Sequence, residues 1–81
     1  MHYTTHQGRL HHFLHWPGLE EQVTDDRSYF VAIGPRAFED GEIVCATRHK
    51  PGVVRVMLKH GNNCRTVFSR DEFLPPGVEV A

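Results

Sequence analysis

The apolar positions of residues 28–81 include most of the chain's β-branched residues and fall in short runs, and turn residues separate these runs every 8–12 positions, the spacing of a small all-β domain. Ser28-Tyr29-Phe30-Val31-Ala32-Ile33 is β-branched and aromatic, and Gly34-Pro35 stops it. Glu39-Asp40-Gly41 forms a polar turn before a second strand, Glu42-Ile43-Val44-Cys45-Ala46-Thr47. A third strand, Val53 to Lys59, follows His49-Lys50-Pro51-Gly52, where proline then glycine suits a type II turn. A four-residue loop at 49–52 pairs Thr47 with Val54, Cys45 with Val56 and Ile43 with Leu58. Ile43, Cys45, Val54, Val56 and Leu58 then share a core face, while Arg55 and Lys59 point outward.

The next turn, Gly61-Asn62-Asn63, reads as a three-residue hairpin loop, which sets Phe68 opposite Val56 and buries the larger ring. A two-residue loop is the alternative, and it turns Val67 inward instead. Ser69-Arg70-Asp71-Glu72 matches a capping box and predicts a helical turn through Phe73-Leu74, ended by Pro75-Pro76. Gly77-Val78-Glu79-Val80 alternates and predicts a closing edge strand.

Residues 1–27 differ in character. Leu10, Phe13 and Leu14 recur at helical spacing and predict a short helix ahead of Pro17-Gly18, although Arg9 to Trp16 also alternates as a strand would. Leu19 and Val23, four apart, predict a second short helical turn. The expected organisation is a histidine- and aromatic-rich segment, 1–27, packing on or flanking a small β-barrel domain, 28–81. Trp16 and Phe13 are expected to close one open end of that barrel.

Composition narrows the function classes. In 81 residues, nine basic and ten acidic side chains leave a formal net charge of −1, against a uniformly basic protein. No apolar run approaches the roughly 20 residues of a membrane span, and the N-terminus lacks a signal-peptide core, so the expected location is cytoplasmic. The two cysteines, Cys45 and Cys64, form no Cys-x-x-Cys pair and no disulfide scaffold. No cofactor motif is present and none is expected. A domain this small has a thin stability margin, and self-association as a homodimer is one remedy.

The order of strands, glycine turn, helical turn and last strand over residues 38–80 resembles SH3-like small barrels. Phe38-Glu39-Asp40-Gly41-Glu42-Ile43-Val44 resembles the Gly-Asp-x-Val opening of KOW, Tudor and related modules, with Glu42 where that pattern favours aspartate. Lys59-His60-Gly61 and Ser69 to Leu74 would correspond to the distal hairpin and the helical turn. The resemblance implies a single SH3-like barrel, or a strongly bent antiparallel sheet of four to five strands. No aromatic cage is assignable, so methyl-lysine reading does not carry over, and such folds host many functions.

Two candidate chemistries remain. His2 and His6, and His11 and His15, are spaced to share a helix face; His11 and His15 are the best metal candidates, but no zinc-type spacing joins them to further ligands. His60 and Cys64 flank a turn and would face each other, yet lack the pocket and orienting partner of a nucleophile, so no enzyme is expected. The stronger signal is charge. Arg48, Lys50, Arg55, Lys59, Arg65 and Arg70 fall within 23 positions that hold no acidic residue. Arg55, Lys59 and Arg65 are expected on the outer face of the sheet. The leading expectation is a non-enzymatic adaptor that engages a protein partner through this cationic face. A KOW-like RNA- or DNA-binding protein is the alternative, favoured if Tyr29 or Phe30 shares that face, and a metal-binding protein is the lesser one.

Overall fold

The structure is a computed structural model that describes residues 16–81. Five strands form one sheet: β1 (Leu19–Val23), β2 (Ser28–Ala32), β3 (Glu42–Lys50), β4 (Val53–His60) and β5 (Asn63–Arg70), in the order β1-β2-β5-β4-β3. Short 3-10 turns occupy Pro35–Phe38 and Asp71–Phe73. The chain is thus mostly β, as expected, but the sheet is mixed. β2 runs parallel to β5, with Phe30 level with Val67 and Val31 with Phe68, whereas the other pairings are antiparallel.

Each departure from the expected elements has a local cause. Leu19 to Val23 is a strand paired with β2, not a helical turn. A spacing of four satisfies both periods, and pairing with β2 decides between them. The helix predicted over Leu10 to Leu14, and the place of Phe13, lie outside the described residues. The helical turn after β5 is present, but Arg70 occupies its N-cap with no side-chain cap. The Ser69 hydroxyl instead donates to the Arg70 carbonyl at 2.9 Å, so the capping box does not form. Residues 77–80 form no strand; only Ala81 pairs with the β3 edge, exchanging two 2.9 Å backbone bonds with Ala46 and Arg48.

The two hairpins set the faces. Pro51-Gly52 is a two-residue loop between paired Lys50 and Val53, and Gly52 has φ +81°, the geometry of the third position of a type II turn. Such a turn does not match strand twist, and β3 accommodates it with a register shift between Arg48 and Lys50. A second shift lies between Ile43 and Cys45. Ile43 therefore still opposes Leu58, but Ala46, not Cys45, opposes Val56 and takes the buried position. Cys45 is exposed. In the β4–β5 hairpin, Gly61-Asn62 is the loop, with positive φ only at Gly61, as a type II′ turn requires. Val67 is accordingly opposite Val56 and fully buried, while Phe68 faces outward opposite Arg55, the reverse of the three-residue reading.

The core lies on one face. Phe30, Val54, Val56, Leu58 and Val67 are fully buried, joined by Trp16, Leu19, Ala37 and Phe38. Burying one such side chain is worth about 1.5–3 kcal/mol. Trp16 is buried in this core: its indole N–H donates to the Ala37 carbonyl at 2.9 Å, and its six-membered ring lies over Gly41. A Cβ on Gly41 would fall 2.7 Å from Trp16 Cζ2, so only glycine admits the ring. No helix among the described residues is long and apolar enough to cross a membrane.

Candidate nucleic-acid interface

The face opposite the core is built from cross-strand rows. Val31, Phe68, Arg55 and Thr47 form one row on β2, β5, β4 and β3. Thr66, Met57 and Cys45 form the next, followed by Cys64, Lys59 and Glu42. In the other direction lie Arg70, Val53 and Lys50. The rows hold aromatic, threonine and cationic side chains side by side, which a solvated face of charged residues alone would not.

The six cations singled out by the sequence divide. Arg55 is exposed and Lys59 half-buried, both on this outer face and about 13 Å apart along β4. Lys50 joins them, exposed at the Pro51-Gly52 end. Arg65 does not: the shorter loop places it opposite Leu58 on the core side, where its guanidinium lies 5.0 Å from the centre of the Phe30 ring. Arg48 is held by the Asp71 carboxylate, and Arg70 lies 3.7 Å from Glu72. The window without acids is thus partly answered by the acids just beyond it. Among the described residues Lys50, Arg55 and Lys59 enter no ion pair, nor does Arg27 just before β2. Glu42 opposes Lys59 and offsets part of its field.

The aromatic condition divides too. Phe30 is buried, but Tyr29 reaches the outer face and meets Phe68 edge-on, with ring centres 5.7 Å apart. The exposed His49 ring, at the second β3 irregularity, lies 5.0 Å from Phe68 at 62°. These three rings and Val53 line an open concavity of about 650 Å³ whose walls include Arg27 and Lys50. Sequence reading missed Phe68 and Arg27 as site residues; the two-residue hairpin register was the signal that would have turned Phe68 outward.

The remaining candidates stay apart. Cys64 opposes Lys59, and His60 opposes Asn63, so the Cys64–His60 pair is not formed across the hairpin. His60 instead packs edge-on against Trp16 at 5.0 Å. Cys45 and Cys64 are both free. Among the described residues no three His, Cys, Asp or Glu side chains gather to hold a metal, and His11 and His15 lie outside those residues. A second groove, about 910 Å³, runs between the β3 edge at Ile43–Ala46 and the tail at Gly77–Ala81.

Fold and site together define a small mixed-sheet β domain with an aromatic and cationic outer face. No protein-family model, curated protein or solved structure matches the chain.

Proposed function

We propose that this chain is a non-enzymatic binding module that holds single-stranded nucleic acid on its outer sheet face. The observation that carries the reading is the placement of Phe68 beside Arg55, with Tyr29 in ring contact and Lys50 and Lys59 on the same face. Half-exposed rings offer stacking surfaces to bases, at about 1–3 kcal/mol each, and unpaired cations offer contacts to phosphates. A protein partner is the competing reading, because Tyr29, Phe68, Met57 and Arg55 are residue types enriched at protein interfaces, whereas the lysines Lys50 and Lys59 beside them are depleted there. A methylated lysine would be repelled by Arg27 and Lys50 beside the rings. The β3–β4–β5 meander and the 3-10 turn after it support an SH3-like reading of residues 38–80; the parallel β2–β5 pair is no part of that pattern.

The test is fluorescence anisotropy with labelled single-stranded RNA and DNA of about 12 nucleotides, a length within the site sizes of such modules. A polyglutamate peptide serves as the acidic protein-like competitor. The reading expects oligonucleotide binding that weakens several-fold in Arg55→Ala and again in Lys59→Ala. Binding of the peptide but not of either oligonucleotide would establish the protein-partner reading instead.

A further inference from the structure

We propose that the concavity between the start of β2 and the β3–β4 turn is a subsite for one nucleotide, its base against Phe68 and Tyr29 and its phosphate held by Lys50 and Arg27. The inference rests on the nucleic-acid reading of the outer face and assigns it a fixed point.

Five observations converge. The Tyr29 and Phe68 rings stand 87° apart, so together they form an aromatic corner. A planar base stacks on one ring of such a corner and turns its electropositive edge to the other. His49, 62° from Phe68, adds a third ring and two nitrogens within reach of a sugar or base edge. Both cations in the walls are exposed and have no carboxylate partner among the described residues. Lys50 is fixed by position, because it is the last residue of β3 and pairs with Val53 across the turn. The concavity, about 650 Å³, falls within the roughly 300–1,000 Å³ of small-molecule sites, large enough for a nucleoside monophosphate.

The ligand chemistry follows from this combination. The rings select a planar group, the cations select an anion next to it, and a nucleotide carries both. An aliphatic phosphate would leave the rings unused, and a neutral aromatic would leave the cations unused. With Arg27 and Lys50 engaged by the phosphate, the lining side chains left to donate or accept bonds at a base edge are Ser28, His49 and the Tyr29 hydroxyl, so discrimination among bases should be slight. The same Phe68 that walls the concavity is the neighbour of Arg55. A strand leaving the subsite therefore continues along β4 towards Lys59.

The experiment is a two-dimensional amide NMR titration of the full chain with adenosine 5′-monophosphate, and separately with adenosine and with inorganic phosphate. It is run beside the anisotropy assay on the same sample. The expected result is saturable shifts centred on Tyr29, His49, Lys50 and Phe68, with adenosine and phosphate each binding at least fivefold more weakly. Lys50→Glu, a substitution at an exposed turn-flanking position, should weaken the monophosphate by at least fivefold without lowering the melting temperature. If the oligonucleotide binds but the monophosphate shifts no residue of the concavity, the subsite is wrong and the reading of the face stands. Monophosphate shifts there without oligonucleotide binding would keep the subsite and remove the wider face. Neither binding would overturn both.

Discussion

Exchanging one hydroxyl for one methyl at two adjacent positions of β5 tests the register on which the outer face depends. Val67 is fully buried opposite Val56, whereas Thr66 is half-buried opposite Met57 on the outer face. Val67→Thr keeps the side-chain volume, so no cavity opens, but it carries a hydroxyl into an apolar site. Mutational data place the cost of a buried hydroxyl without a full partner at about 1–3 kcal/mol. A nearby backbone carbonyl could accept its proton, which favours the lower half of that range. In a domain of this size each kcal/mol lowers the melting temperature by about 4–8 °C, so a cost of about 1–2 kcal/mol gives an expected fall of roughly 4–16 °C. Thr66→Val, the reverse exchange of hydroxyl for methyl on the outer face, should stay within about 0.5 kcal/mol of the parent. Urea and thermal unfolding followed by circular dichroism measure both. A stabilising Thr66→Val together with a neutral Val67→Thr would show that the three-residue loop is the real one. Phe68 would then point inward and Arg65 outward, and the interface described above would not exist.

Three further outcomes probe other parts of the structure. Gly41→Ala places a methyl 2.7 Å from Trp16 Cζ2 and 3.1 Å from Leu58 Cδ1, and overpacking of this kind costs about 1–3 kcal/mol; a lower urea midpoint with a red-shifted Trp16 emission is expected, and an unchanged midpoint would remove Trp16 from that position. Both cysteines should react with a thiol reagent in the native protein, since both are exposed; protection of Cys45 until unfolding would restore the regular β3 register. A double-mutant cycle on Arg48 and Asp71, each about half exposed, should give a coupling no larger than about 1 kcal/mol, falling with added salt.

What was legible in the sequence was local. The presence of glycine turns after Lys50 and His60, the buried triplet Val54, Val56 and Leu58, and a helical turn after Arg70 follow from short-range rules, but each loop holds two residues rather than the longer loop expected, and the helical turn forms without its capping box. The exposure of Cys45 is not legible because one irregularity shifts Cys45 to Arg48 by one residue, a second shifts Lys50 again, and nothing in Val44 or His49 announces either. The outward place of Phe68 is not legible because either loop length puts one apolar residue inward, Phe68 with three residues and Val67 with two, and ring size points to the wrong one. The parallel contact of β2 with β5 joins segments more than thirty residues apart, beyond the reach of periodicity. The cationic window was visible, but its division was not. Asp71 and Glu72 lie just outside the window in sequence and beside Arg48 and Arg70 in space.

The central claim, that the outer face takes single-stranded nucleic acid through Arg55, Lys59 and Lys50, is most directly tested by the salt dependence of oligonucleotide binding. With three or four phosphates neutralised, log affinity against log salt concentration should fall with a slope of about −2 to −3. Arg55→Ala should make that slope shallower by somewhat less than one. An oligonucleotide that binds with no salt dependence, or does not bind at low salt, would contradict the account.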